Sequence, residues 1–373
     1  MRSSVVTSEP IDYRLLALTL ALTAFGLLML SSASSYLGFQ RFHDTYYFTK
    51  QQLVHASLGL VIMGIAARLP PPLWKKIAFP AFVASLLLLV LVLIPGVGIK
   101  INNARSWINL GITSFQPSEF AKVSFLLYLA AWLERRRSQV KEMAYGFLPF
   151  LALLGMLTGL IILQPDVGTV FIIAVTAACV FFVAGGKILH LLSLVLAGAL
   201  VIGALIMIAP YRKERVKVFL NPASDPIGVG YHVNQAMLAI GSGGLWGVGL
   251  GKSRQKFNYL PEVAGDSIFA VMGEELGFVI TCIFLAALGF FLFRLISIAL
   301  ALPDEFGRYV TVGVAAWIGI QSIVNVGAMV GLLPLTGLPL PFVSFGGTAL
   351  LATLAAVGIV LSLARNAHLS RRL

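Results

Sequence analysis

The 373 residues are 58 % hydrophobic and only 11 % charged, with a mean hydropathy of +0.92, which excludes a soluble domain of this size and makes the chain a polytopic membrane protein. Lysine and arginine outnumber aspartate and glutamate by 27 to 15. In a membrane chain this excess reads first as cytoplasmic anchoring and then as attraction to anionic lipid, and no nucleic-acid motif accompanies it. The two cysteines, Cys179 and Cys282, both lie in apolar runs and imply neither a disulfide framework nor a cysteine-based metal site.

In chain order, the N-terminus mimics a signal peptide, with small residues near Ser35. However, the apolar run from Leu15 to Leu30 with its flank is long enough to span, and Glu9 and Asp12 dilute a basic leader, so an uncleaved first helix is expected. Spanning runs fall at about 13–34, 53–69, 77–97, 117–133, 146–164, 168–185, 189–209, 267–292, 309–330 and 345–364. With the N-terminus inside, the short inner segments hold fifteen basic residues. The short outer loops hold four, Arg41, Lys50, Lys100 and Arg105, which puts both termini in the cytoplasm. The expected fold is therefore all-α and polytopic: ten transmembrane helices in a single domain over 1–373, with one long outer loop, about 210–265, between the seventh and eighth helices. Within that loop, 231–251 is apolar, but its glycines, with His232, Asn234 and Gln235, favour a segment lying in the interface or re-entering a protein-lined cavity.

Several stretches offer chemistry. In RSWINLG (105–111), Trp107 reads as a headgroup-belt residue, and the planar fork of Arg105 suits a phosphate. FQPSEFAK (115–122) steps Gln116, Glu119 and Lys122 around one side of the fourth helix, as a self-neutralising pair, a polar cavity wall, or both. Asp166 in QPDVG (164–168) reads as a helix cap. The long loop adds Arg212, Lys213, Arg215, Lys217, Lys252, Arg254 and Lys256, either a general attraction for anionic headgroups or a groove for one anionic lipid. GSGGLWGVGLG (241–251) lacks the spacing and the flanking elements of a nucleotide loop. YLPEVAGDSIFAVMGEELGF (259–278) concentrates Glu262, Asp266, Glu274 and Glu275 at the start of the eighth apolar run, and on a helix Asp266 and Glu274 share a face. Asp266 reads either as an N-cap or as a functional carboxylate beside the basic patch.

SWINLGITSFQPSEFAK, QPDVGT, AIGSGGLWGVGLGKSRQKFNYLPE, DSIFAVMGEELGF and NVGAMVGLLPLTGLPLPFVSFGGTALL, five blocks in order, give the chain a resemblance to the SEDS family. These are the RodA/FtsW/SpoVE polymerases of bacterial cell-wall synthesis. GVGLGKSRQKFNYLPE is more similar to the FtsW/SpoVE branch. Two departures stand out: the family commonly has His-Thr before its aspartate and Phe after it, where this chain has Ala264-Gly265 and Ser267. Its Ser-Tyr-Gly-Gly is here Ser344-Phe345-Gly346-Gly347.

The resemblance implies polymerisation of lipid II on the outer face of the bacterial cytoplasmic membrane, with undecaprenyl pyrophosphate leaving and Asp266 as catalytic base. It places Arg105, Glu119, Lys122 and Asp166 around an outward-facing cavity. Gln116, Arg212, Arg215, Lys252, Arg254, Lys256, Glu262, Glu274, Glu275 and Ser344 complete the candidate substrate or cavity-lining set. Positive charge for the pyrophosphate would come from the loop Lys and Arg residues or from a divalent cation, Mg or Mn, for which no ligand set is legible. The implied partner is a class B penicillin-binding protein, held through helices eight and nine. A lipid II flippase and a non-enzymatic scaffold for that partner are the competing readings. One conflict is left open: a helix start lowers a carboxylate's pKa, whereas a base working near neutrality needs it raised by burial.

Overall fold

A computed structural model describes residues 11–101, 104–109, 111, 114–208, 210–221 and 228–370. Its helices are α1 (Tyr13–Ala33), α2 (Ser35–Phe42), α3 (Tyr47–Arg68), α4 (Pro71–Leu93), α5 (Pro117–Arg135), α6 (Leu148–Ile162, entered through a π-turn, Met143–Phe147), α7 (Val167–Val183), α8 (Ile188–Ile208), α9 (Pro210–Leu220), α10 (Val229–Gly243), α11 (Ile268–Ala301), α12 (Glu305–Met329) and α13 (Gly347–Ser370). Local chemistry starts several of them. Asp12, Asp166 and Asp304 accept hydrogen bonds from the backbone N–H groups of Leu15, Thr169 and Gly307, and α4 and α5 open on prolines that need no N–H partner.

The chain is a multi-pass membrane protein. Among the described residues seven helices are long and apolar enough to cross a membrane: α1, α4, α6 with its π-turn, α8, α11, α12 and α13. α7 is apolar but shorter at 17 residues. α3 and α5 lie where apolar runs were expected but carry polar side chains, among them Gln51, Gln52 and His55 in the first and Glu119 and Lys122 in the second.

Two of the expected outer loops hold regular structure. The described residues of 98–115 form a three-stranded antiparallel sheet, β1 (Gly98–Ile101), β2 (Ala104–Asn109) and β3 (Ser114–Phe115), in the order β1-β2-β3. Its β-branched Ile99 and Ile108 suit a pleated surface. The segment 210–265 holds α9 and α10, and α10 packs on α11.

α11 is not one straight rod. At Gly277 the backbone leaves the helical region (φ 74°, ψ −178°), a conformation reserved for glycine. The glycine-rich loop after α10 pairs the backbone groups freed there. Val248 and Gly249 donate to the carbonyls of Glu274 and Glu275 (3.0 Å each), while Phe278 and Val279 donate to the carbonyls of Gly244 and Leu245 (2.9 and 3.1 Å). A Cβ on Gly277 would lie 2.2 Å from the Gly247 nitrogen, so the two strands of chain approach too closely for any other residue.

Two polar rungs tie α1 to α11. At one end the Arg294 guanidinium grips the Asp12 carboxylate (Nη2–Oδ2 2.5 Å, Nε–Oδ2 3.0 Å). At the other, Ser32 donates to Glu275 (2.5 Å), and Lys256 joins both. Twenty helical positions separate the rungs on α1, which is about 30 Å, the thickness of a bilayer's hydrocarbon core.

Candidate functional site

The turn from Pro261 to Ser267 carries Asp266, and neutral donors from other elements hold its shape. On α12, Asn325 Nδ2 donates to the carbonyl oxygens of both Asp266 and Leu338 (2.8 Å each). Ser344 Oγ donates to the Gly265 carbonyl (2.7 Å) and accepts from the Leu340 N–H (2.8 Å), and the Phe345 N–H donates to the Ala264 carbonyl (2.7 Å). Gln52, only 2 % exposed on α3, secures Ser344–Gly346 in turn, donating to the Ser344 carbonyl (3.2 Å) and accepting from the Gly346 N–H (3.3 Å). Ser267 Oγ donates to the Pro261 carbonyl (2.7 Å) and lies 2.6 Å from His232 Nε2.

Above this turn is a cavity of about 310 Å³ lined by Asp266, Pro261, His232, Arg215, Gly228, Leu335 and Gly337. Arg215, on α9, donates to the Leu335 carbonyl (3.1 Å) and closes α9 over the loop before α13. Asp266 is half-buried at the cavity wall, and its Oδ1 is enclosed without a hydrogen-bond partner among the described residues. Asp266 does not cap α11, since the capping position is Ser267. Burial first, then the Glu262 carboxylate, push Asp266 from 3.8 up to about 7, against the smaller lowering effects of its backbone, Arg215 and Ser267. Burial and then Arg215 push His232 from 6.5 down to about 4. The order of basicity in water is inverted: here the carboxylate takes a proton before the imidazole does.

The remaining candidates separate into groups. Of the basic candidates with described side chains, Arg215 alone lines this cavity. The side chain of Arg212 lies outside the described residues. Lys252 and Arg254 are exposed on the loop after α10, and Glu262 is exposed at φ 49° beside Asp266.

Lys256, Glu274 and Glu275 do not line this cavity: Lys256, expected there, is paired with Glu275, and the two glutamates, read from the sequence as lining the cavity or, more readily, as bracing helices or the cavity floor, brace the folded loop against α11. Lys256, 3 % exposed, pairs with Glu275 (2.9 Å) and also donates to the Gly251 carbonyl (2.7 Å). Glu274 accepts from Ser253 Oγ (2.5 Å) and the Arg254 N–H (2.8 Å). Ser344 braces the turn and is likewise absent from the cavity wall.

Arg105, Gln116, Glu119, Lys122 and Asp166 lie apart from this cavity. Arg105 donates to the Leu93 carbonyl (3.3 Å). Asp166 caps α7 and accepts weakly from Gln116 (3.4 Å), so the capping expectation holds. Glu119 and Lys122 form a buried pair at 2.8 Å, with the ammonium 4.6 Å from the Trp317 ring centre and 3.3 Å from Gln321 Oε1. The pair is self-neutralising, and Lys122 also lines a small, mostly apolar cavity with Phe125, Thr176 and Trp317, so the two readings are compatible.

The residues that sequence reasoning missed, Gln52, His232, Ser267 and Asn325, are uncharged. Their signal was only that amides and an imidazole sat among apolar residues. Among the described residues no group of three or more His, Cys, Asp or Glu side chains is placed to hold a metal ion. Chemically, the site offers a partly desolvated carboxylate to accept a proton, a cation beside it for an anionic group, and a neutral imidazole.

The family described as Cell cycle protein, FtsW/RodA/SpoVE, matches residues 13–369. The chain belongs to this family. It is 39 % identical to the probable peptidoglycan glycosyltransferase FtsW of Trichlorobacter lovleyi, covering 96 % of this chain and 94 % of that one. With the stage V sporulation protein E of Bacillus subtilis it shares 41 % over 95 % of this chain and 97 % of that one. Among solved structures, a chain from work on polymerization and crosslinking by a peptidoglycan synthase complex superposes with a TM-score of 0.80 at 34 % identity, covering 96 % and 98 % of the two chains. The rod shape determining protein RodA of Thermus thermophilus gives 0.72 at 33 %, covering 98 % and 99 %.

Proposed function

We propose that this FtsW/RodA/SpoVE protein is a peptidoglycan glycosyltransferase that polymerises lipid II, with Asp266 as general base. The carrying observation is Asp266 Oδ1, unpartnered among the described residues, in a cavity that also presents Arg215. Asp266 takes the proton of the GlcNAc 4-hydroxyl as that oxygen bonds to the anomeric carbon of MurNAc in a second lipid II. The bond from that carbon to phosphate breaks, and undecaprenyl pyrophosphate leaves with the electron pair. A carboxylate titrating near neutrality suits this role, since it is ionised when needed yet basic enough to hold the proton. Arg215 supplies positive charge for the pyrophosphate. Where a divalent cation, Mg or Mn, accompanies the substrate, its role is neutralisation of that leaving group.

Ten spans, comprising the seven apolar helices with α3, α5 and α7, put both termini in the cytoplasm and Asp266 at the outer face of the bacterial cytoplasmic membrane. The positive-inside count supports this arrangement. A class B penicillin-binding protein would dock on the eighth and ninth spans, α11 and α12. α11 presents exposed Phe278, Ile283, Phe290 and Phe293, and α12 presents Ile323.

The test supplies labelled lipid II to the purified full chain with its penicillin-binding partner, in wild-type and Asp266→Ala forms. Glycan strands from wild type alone are expected. Equal polymer from both sinks the role of Asp266, and movement of lipid II across liposomes without polymer turns the reading to transport.

A further inference from the structure

One contact in the cavity fixes more chemistry than its distance states. Ser267 Oγ has a single hydrogen, and the Pro261 carbonyl 2.7 Å away and the Asp266 carboxylate both draw it as acceptors, so it is not given to the imidazole. The 2.6 Å contact between Ser267 Oγ and His232 Nε2 then has one possible donor, the imidazole. His232 is thereby held as its Nε2–H tautomer, with Nδ1 carrying a bare lone pair. No hydrogen bond within the described chain engages Nδ1, and the ring lines the same cavity as Asp266, one residue from the serine that orients it. The groups facing the ring bear on its charge. Arg215 on α9 opposes protonation, the turn brings Asp266, and the loop before α13 brings the neutral Leu335 and Gly337. The ring therefore stays neutral at physiological pH and loses the competition for the reacting proton to Asp266.

We propose that His232, oriented by Ser267, positions the attacking sugar by accepting through Nδ1 a hydrogen bond from the hydroxyl vicinal to the attacking one, the GlcNAc 3-hydroxyl. This rests on the glycosyltransferase reading and deepens it. Asp266 takes the proton from one hydroxyl while His232 holds its neighbour, so the sugar is fixed at two adjacent oxygens and the reacting one faces the base. Ser267 stands where the family commonly has phenylalanine, a side chain that cannot accept the imidazole N–H. The His232–Ser267 pair thus supplies the orientation in this chain.

The test is a cycle between protein and substrate. Full-length protein with its partner is given lipid II, or lipid II whose GlcNAc lacks the 3-hydroxyl, in wild-type, His232→Leu and His232→Gln forms, and kcat/KM is read for each pair. His232→Leu and the deoxy substrate should each cost wild type about ten-fold, the worth of one hydrogen bond. Together they should cost little more than either alone, with His232→Gln recovering most of the loss because it keeps both a donor for Ser267 and an acceptor oxygen. Multiplicative losses would overturn the proposal, as would unaltered kinetics of His232→Leu, because a merely structural histidine is indifferent to the missing hydroxyl. The ¹⁵N spectrum of histidine-labelled protein, assigned through His232→Gln, supplies a readout independent of turnover. A bare Nδ1 at neutral pH supports the geometry, and a protonated Nδ1 overturns it. If wild type makes no polymer from ordinary lipid II, the glycosyltransferase reading falls and takes the sugar assignment with it. An active wild type with independent losses sinks the His232 assignment alone.

Discussion

Replacing Lys256 by Met removes the cation of a pair that is almost fully enclosed, with 3 % and 0 % of the two side chains exposed. Lys256 Nζ serves Glu275 at 2.9 Å, the Gly251 carbonyl at 2.7 Å and Ser32 Oγ at 3.3 Å, so the variant loses three contacts from one atom. Glu275 keeps Ser32 (2.5 Å) and the Ser253 N–H (3.3 Å), which soften the loss of its counter-ion without neutralising it. Breaking a buried pair on one side costs about 3–5 kcal/mol, and the two remaining neutral donors put this case near 3. Glu275→Gln should cost a similar amount by stranding the ammonium. The double variant strands neither charge and should recover at least about 1.5 kcal/mol of the summed loss. The assay is thermal unfolding of the purified full-length protein in lipid nanodiscs, with limited proteolysis of residues 244–260 as a local probe. Strict additivity, or a Lys256→Met loss below about 0.5 kcal/mol, would refute the role of this pair in holding the loop to the kink.

Other perturbations test other parts of the site. Polymerisation should rise with pH and level off above about 7, because Asp266 accepts a proton only when ionised. Asp266→Asn should flatten that profile and lower the rate about 10²–10⁴-fold. The same raised pKa has a stability sign. The folded state binds the Asp266 proton more tightly than the unfolded chain, so ionising it disfavours folding progressively from pH 3.8 up to about 7. Asp266→Asn should then melt higher than wild type at pH 8, with the gain fading toward pH 4. Gly277→Ala puts a Cβ 2.2 Å from the Gly247 nitrogen at φ 74° and should speed hydrogen exchange at Val248, Gly249, Phe278 and Val279. Asn325→Leu orphans the carbonyls of Asp266 and Leu338, and should cost about 1–3 kcal/mol in unfolding and at least about ten-fold in kcat.

The apolar runs were legible because burial in lipid demands length and composition, and a helix lies at each place they marked. Where such a run was diluted by Gln52 or Lys122, composition alone understated the helix. Asp266 stood out because a carboxylate beside an apolar run is costly and asks for a reason. Lys256 and Glu275 were equally visible as charges, yet nothing local says that a residue in a loop folds back nineteen positions to neutralise one on a helix. The face shared by Asp266 and Glu274 assumed a helix that begins only at Ile268, so the carboxylates part company. Gln52 and Asn325 carry no charge, and an amide in an apolar helix raises no alarm until the carbonyls it satisfies are seen. His232 was noted as a polar break in 231–251, but its pairing with Ser267 depends on how α10 lies against the turn that carries Asp266.

The two rungs between α1 and α11 act as a ruler. If the Asp12–Arg294 rung marks the inner edge of the hydrocarbon, the Ser32–Glu275–Lys256 rung marks the outer edge, and the kink at Gly277 falls at that boundary rather than in mid-membrane. The helix from Glu275 back to Ile268 then spans about 10 Å, and the turn that carries Asp266 follows it. On the proposed function, a polyprenyl chain would stay dissolved among lipid tails while its headgroup is worked on, and its polymerase would not need to extract it.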